Sequence, residues 1–266
     1  MFKTPFLYFS GVLSMPDFDI FEGMTSISAV IRSIQNGSSD RRIIKILYNE
    51  ERLSKKFREL QFLRHTADSL GFEMFPVAAG EIDDLTSGTT HGGIIAICTH
   101  RTFSDLNVKN LTNGGFYALI EGIEDPYNFG YSVRSLYASG VDGIILPPRN
   151  WMEISGTVAR SSAGTSELAN IYVSDPVDAV TTFKNAGFEI VCAEIRDSVS
   201  LYEHSFSNSV LLVVGGEKRG ISRKILELAD TNVRIEYGRE FLGSLPSASA
   251  ISVISFEILR QKHNKR

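Results

Sequence analysis

Cysteine is scarce in this chain of 266 residues: Cys98 and Cys192 are the only two. Each sits in an apolar, strand-like run with no CxxC partner or histidine cluster around it. That argues against a disulfide framework, haem attachment or a metal site, and reads both as buried core thiols. No apolar run reaches the roughly 18–20 residues needed to span a bilayer. The opening M-F-K-T-P-F-L-Y-F-S is broken too soon, by Pro16 and Asp17, to read as a signal peptide. No membrane is expected, and the chain is placed in the cytoplasm. Positive charge is not in excess either: 27 Lys+Arg face 31 Asp+Glu, a net charge of −4, and division at residue 104 uncovers no basic half. A polyanionic partner must then be met by local patches. The candidates are Arg41-Arg42-Ile43-Ile44-Lys45, Lys55-Lys56-Phe57-Arg58, Lys218-Arg219 with Arg223-Lys224, and the tail from Arg260 to Arg266. Each taken alone reads equally as a solvated helix face or a frayed terminus.

What the chain has in quantity is apolar material. Hydrophobic residues make up 43%, with 17 Phe and 9 Tyr, enough for one large domain or two ordinary ones. A possible helix at Ser26–Gln35 is followed by a buried strand at Ile43–Tyr48 and a helical spacing from Glu51 to Gly71, with Leu53, Phe57, Leu60, Leu63 and Leu70 on one face. Strands at Phe72–Phe75 and Gly93–Cys98 complete a small α/β unit, residues 1–104. Residues 105–115 are polar and turn-rich and read as a linker. From 116 to 266, apolar runs at Phe116–Ile123, Gly143–Leu146, Ile171–Val173, Glu189–Cys192, Val210–Val214 and Asn232–Ile235 alternate with helical patterns at Phe129–Ser139, Pro176–Ala186, Ser222–Leu228 and Ser247–Gln261. That order implies an α/β fold with a mostly parallel sheet covered on both faces. Ligands of such sheets bind beyond the carboxyl ends of the strands, so the turns there carry the signal.

Three turns are chemically unusual. The first runs Glu124-Asp125-Pro126-Tyr127-Asn128-Phe129-Gly130 on to Arg134. Here Asn128 reads as a helix N-cap, and Arg134, six residues further along the same helix, could share a site with it. Its plain alternative is a capped helix with a surface arginine. The second, Gly215-Gly216-Glu217-Lys218-Arg219-Gly220-Ile221-Ser222, offers bare backbone to a ligand and places the carboxylate of Glu217 at the end of a buried strand, where it needs a partner. It lacks the Lys-Ser/Thr ending of a P-loop and the glycine spacing of a dinucleotide fingerprint. The third runs from Glu236 to Ala250, through Ser244-Leu245-Pro246, into a helix rich in small residues. Pro246 is expected in that helix's first turn.

In this order and spacing the turns resemble the three motifs of the SpoU/TrmH branch of the SPOUT RNA methyltransferases, over residues 116–266. Asn128-X-Gly130 with Arg134 resembles the first motif, Gly215-Gly216-Glu217-X-X-Gly220-Ile221-Ser222 the second, and Ser244-Leu245 before a small-residue helix the third. Ser162-Ala163-Gly164 resembles the family's Ser-Ala-Gly segment. The N-terminal unit is similar to the L30e-like substrate-binding domain of these enzymes, with His91-Gly92-Gly93 where the family has His-Gln-Gly.

The resemblance implies a C-terminal SPOUT domain with a trefoil knot, a homodimer packed through the knot, and an enzyme that moves a methyl group from S-adenosylmethionine to a ribose 2′-hydroxyl of rRNA or tRNA. It implies a cofactor site at Gly215, Gly216, Ile235, Ser244 and Leu245, and a catalytic set of Arg134, Asn128, Glu217 and Ser244. Guanidinium is too weak a base to take a proton readily, so Arg134 is read as orienting the 2′-oxygen or an adjacent phosphate. Asn128 and Glu217 are read as holding Arg134 and the second turn in place. Two departures stand out: Pro246 replaces the asparagine of Ser-Leu-Asn, and Ile235-Glu236-Tyr237 replaces Ile-Pro-Met. They leave a catalytically impaired, knotted RNA-binding paralogue as the alternative. A Rossmann-like small-molecule enzyme is disfavoured, because no dinucleotide fingerprint or acidic ribose anchor is present.

Overall fold

The computed structural model describes residues 18–53, 57–86, 90–148, 155–216 and 218–264. The first part of the chain runs β1 (Asp19–Glu22), α1 (Gly23–Gln35), β2 (Ile43–Tyr48), α2 (Glu50–Leu53), α3 (Phe57–Leu70), β3 (Glu73–Pro76), α4 (Ala79–Leu85) and β4 (Ile94–Cys98). These strands form one sheet in the order β1-β4-β2-β3. β4 is antiparallel to both β1 and β2, and β3 is parallel to β2. Pro76 closes β3, and the edge position of that strand makes the missing N–H harmless. The core lies under α1, whose Ile27, Val30 and Ile31 meet Phe21, Ile46 and Ile94.

The second sheet has eight strands in the order β10-β12-β9-β11-β6-β7-β8-β5, every pairing parallel. Its elements are β5 (Ser104–Asp105), β6 (Phe116–Ile120), α5 (Pro126–Ala138), β7 (Gly143–Leu146), α6 (Ser155–Ser161), α7 (Thr165–Leu168), β8 (Ile171–Val173), α8 (Pro176–Asn185), β9 (Glu189–Ala193), β10 (Val199–Ser200), β11 (Val210–Val214), α9 (Arg223–Leu226), β12 (Thr231–Arg234) and α10 (Ser247–Asn264). The stretch expected to be a linker is preceded by, and in part forms, the edge strand β5. One sheet face places Ala118, Ile120, Ile144 and Leu212 against Val133 and Leu136 of α5 and Ile251, Ile254 and Ile258 of α10. The other places Tyr117, Leu119, Leu211 and Val213 against Val180 and Phe183 of α8 and Ile225 of α9. Covering on both faces is why these strands read as unbroken apolar runs.

α10 carries more apolar residues than one sheet face requires, and α5 takes up the excess. The two helices pack together and join Ser135 Oγ to Ser252 Oγ at 2.6 Å. Ile254 is 1% exposed within its own chain, whereas Phe256 faces outward at 47%.

The two sheets meet along a polar, tightly packed seam. Arg41, far from forming a surface patch with Arg42 and Lys45, is buried. Its Nη1 donates to Asp19, and its Nε donates to Glu167 Oε2 at 2.7 Å. Burial works against this guanidinium, but Glu167 and Asp19 outweigh it and raise its pKa. Arg101 donates to the carbonyls of Ser166 (2.9 Å) and Ala169 (3.0 Å) on one side and of Ser38 (3.1 Å) on the other. Gly156 of α6 lies against the carbonyl of Ile20, and Gly164 lies against Ala29; a Cβ at either glycine would collide with its neighbour. His91 is an internal fastener: Gly93 N–H donates to its Nδ1 (3.1 Å), which leaves Nε2 to donate to Asp83 Oδ1 (2.9 Å).

Candidate functional site

At the carboxyl ends of β9, β11 and β12 lies a cavity of about 570 Å³. Its walls come from all three following turns: Ala193–Ile195, Val214–Gly216 with Gly220 and Ile221, and Val233–Ile235 with Tyr237 and Ser244–Ser247. Asn128 of α5 and Ala250 and Ile254 of α10 complete it. Parallel strands end together, so their turns converge here, which is where an open α/β sheet takes its ligand.

The second turn is shaped by glycine. Gly216 crosses Gly122 so closely that a Cβ on Gly122 would lie 3.3 Å from Gly216 Cα, and a Cβ on Gly215 would collide with Gly220. Gly220 N–H donates to Gly216 O (2.9 Å), closing the turn on itself. Glu121 Oε2 accepts Ser222 N–H (2.9 Å) from the next strand over. Ser247 Oγ donates to Gly215 O (3.3 Å) and fastens the third turn to the second. The Cys192 thiol, in the strand beneath, is pushed up to about 12, first by burial and then by the carboxylates of Glu121, Glu194 and Asp230.

The structure brings Gly215, Gly216, Ile235, Ser244 and Leu245 into one wall, together with Asn128. Asn128 is not the helix cap. Pro126 opens α5, and the side chain of Asp125 accepts Asn128 N–H at 2.8 Å, so Asp125 is the N-cap and the Asn128 side chain is released from that task. Arg134 is exposed on α5 and does not wall this cavity. Glu217, and with it the expected buried partner for its carboxylate, lies outside the described residues. Pro246 stands one residue before α10 rather than in its first turn. It starts the helix with its carbonyl, which accepts Ser249 N–H (2.9 Å) and Ala250 N–H (3.0 Å).

Tyr237, noted in the sequence only as part of a departure from the family's third motif, has a place in the site. It walls the cavity, and its hydroxyl accepts Leu245 N–H at 3.2 Å. Glu194 was missed. It turns back on its own loop, where Oε1 accepts Ile195 N–H (2.8 Å) and Arg196 N–H (3.1 Å), so the turn after β9 is self-capped. Beyond Glu194, Gly220 and Ile221 the cavity continues into a second groove of mixed charge, lined by Arg196, Arg219 and Arg223 with Asp197 and Glu227, the last paired with Arg223.

Among the described residues, the cavity wall carries no nucleophile paired with a base. Backbone polar groups and apolar side chains make the wall a surface that binds and positions a ligand. The SpoU rRNA Methylase family matches residues 115–256. The 23S rRNA (guanosine-2′-O-)-methyltransferase RlmB of Bordetella pertussis is 26% identical over 226 residues, 82% of this chain and 90% of that one. Two solved structures share the fold. The SpoU methyltransferase AviRb from Streptomyces viridochromogenes, in complex with AdoMet, aligns with a TM-score of 0.76 at 23% identity, over 94% of this chain and 92% of that one. The AdoMet-bound rRNA methyltransferase from Sinorhizobium meliloti aligns with a TM-score of 0.75 at 21% identity, over 92% and 87%. With more than half of its length matched, and the matched stretch supplying the whole cavity wall, this chain belongs to the SpoU rRNA methylase family.

Proposed function

We propose that the chain is an S-adenosylmethionine-dependent RNA 2′-O-ribose methyltransferase that acts on rRNA or tRNA in the cytoplasm as a homodimer. One observation carries this: the 570 Å³ cavity in which Gly215, Gly216, Ile235, Ser244 and Leu245 meet at the ends of parallel strands. Backbone polar groups there, set among the apolar faces of Val214, Ile221, Ile235 and Leu245, fit a ligand with a flat ring and an amino-acid tail. When bound, S-adenosylmethionine supplies a methyl group activated by a sulfonium. The protein's part is to hold the ribose oxygen in line with that methyl group and to keep water out. Arg196 and Arg219 in the adjoining groove are suited to RNA phosphates.

Arg134 acts across a two-fold axis. It is exposed on α5 among Tyr127, Tyr131 and Tyr137, an aromatic face that a second copy would cover together with Phe256. There it orients the 2′-oxygen or its phosphate in the partner's cavity, with Asn128 and Glu217 steadying the walls. The segment from β12 returns past Gly215 to pack on α5, and we take this return as the threading of a trefoil knot. Residues 1–104 form an L30e-like RNA-binding domain on the same reading. Pro246 in the cavity wall favours the alternative, an impaired RNA-binding paralogue.

Calorimetric titration with S-adenosylmethionine, followed by methyl transfer to total RNA and nucleoside mass spectrometry, tests both. Binding with 2′-O-methylated nucleosides is expected; binding of RNA without product would establish the paralogue. Light scattering near 29.4 kDa would reject the dimer.

A further inference from the structure

The loop between β12 and α10 projects an aromatic ring that the fold itself does not use. Phe241 is 56% exposed and Leu242 beside it 100%. The ring is nonetheless held. It meets Tyr237 in an edge contact, 5.6 Å between centroids with 64° between planes. Gly243 passes so close that a Cβ there would stand 2.7 Å from Phe241 Cζ. The loop is tied at its base by Leu245 N–H donating to the Tyr237 hydroxyl. Tyr237, Ser244, Leu245 and Pro246 wall the cavity, so Phe241 stands one ring outward from that wall. The loop carries little net charge: Arg234 pairs with Glu236 at 3.1 Å, and Arg239 and Glu240 are exposed neighbours. What it offers beside the site is a fixed, flat, apolar surface.

We propose that Phe241 is a stacking platform for an unpaired base of the RNA substrate, the one adjoining the nucleotide whose ribose is methylated. The proposal rests on the methyltransferase reading and deepens it. Proteins hold single-stranded RNA by laying unstacked bases on aromatic rings, a contact that tolerates any base and needs no local charge. A ring already immobilised loses little entropy when a base lands on it. A second copy of this chain is the other occupant such a ring could have. The larger aromatic face of α5, with Tyr127, Tyr131 and Tyr137, suits that role better than a single projecting loop. The substrate is therefore a loop, bulge or end and not a paired helix.

The test uses the full chain, the variants Phe241→Ala and Phe241→Trp, and an RNA carrying 2-aminopurine next to the modified position. Phe241→Ala is expected to raise the KM for RNA about 10-fold to 100-fold, with the S-adenosylmethionine Kd and the oligomeric mass unchanged. Phe241→Trp restores KM, and the loss persists at raised salt because stacking releases no counterions. Wild-type protein quenches the 2-aminopurine and Phe241→Ala does not. An unchanged KM with unchanged quenching overturns the platform, as does a mass that falls in Phe241→Ala, which would assign the ring to a contact between copies. Quenching that depends on Phe241 in a protein that transfers no methyl group would overturn the methyltransferase reading and leave the platform standing.

Discussion

The seam between the two sheets and the rim of the cavity are built in opposite ways. At the seam, charge is buried and paired: Arg41 lies between Asp19 and Glu167, and Arg101 is spent on four carbonyls from both sides. Glycines allow close packing in both regions, at Gly156 and Gly164 in the seam and at Gly215 and Gly216 in the cavity wall. At the rim, polar groups are mostly backbone, apolar side chains are left in water, and Phe241 and Leu242 project. The seam fixes one body against another; the rim keeps its surface for something else. Stability and binding are thus placed in different regions, and a change in one should spare the other.

Breaking the seam should have the largest effect. Arg41→Met takes the shared guanidinium from two buried carboxylates and leaves Asp19, among the described residues, only its contact with His100, a loss of about 3–5 kcal/mol. Chemical denaturation should show it, and Asp19→Leu with Glu167→Leu added to Arg41→Met should recover much of the loss. Cofactor affinity of the folded fraction should not change. Breaking the other region inverts the pattern. Arg134→Ala should lower methyl transfer on the order of 10²–10³, with S-adenosylmethionine affinity within a few-fold of wild type and no change in denaturation midpoint. Near-wild-type turnover would remove Arg134 from the catalytic set.

A gentler wedge in the seam is Gly156→Ala, whose methyl group meets the Ile20 carbonyl. A loss of about 1–3 kcal/mol is expected, with faster proteolysis between the sheets as its readout. The smallest effect sharpens the comparison through the two thiols. Burial pushes Cys98, near the seam, far up, against the pull of Arg41; Cys192, under the cavity, is raised to about 12. Up to about pH 8.5 folded and unfolded chains both hold these protons. Above it the unfolded chain ionises first, so stability falls as pH rises. Thiol alkylation at pH 8 should therefore report opening alone, and Arg41→Met should expose Cys98 before Cys192.

The central strands were legible because a sheet covered on both faces writes itself as apolar runs, as at Val210–Val214. β1 was not: four residues become a strand only by pairing with β4, more than 70 positions later. The short helices α4, α6 and α7 likewise depend on distant contacts. Within the site, the grouping of Gly215, Ile235 and Leu245 was implied by the family resemblance, and no spacing in the sequence would have given it. The face of Arg134 was legible in principle, since six residues advance a helix by about 600° and leave it about 120° from Asn128. The cap was legible too, because proline favours the first helical position and the residue before it is then the cap, here Asp125. Periodicity could not tell that α5, and not a second chain, covers Ile254. Charge counting could not tell that Arg41 faces inward.

Placing the cavity wall on residues from Asn128 to Ile254 has a consequence for how the protein comes into being. The first sheet is complete at Cys98, whereas α10, which covers α5 and closes the cavity, is made 149 residues after that strand ends. At ~5–20 residues per second, roughly seven to thirty seconds separate the two during translation. Through that interval the face of α5 that will receive Ile251 and Ile254 is bare, and nascent chains must be shielded or kept dilute. A chain cut short before Ser247 lacks the Ala250 and Ile254 part of the cavity wall. The cavity is therefore completed only once α10 is made, because Ala250 and Ile254 belong to its wall.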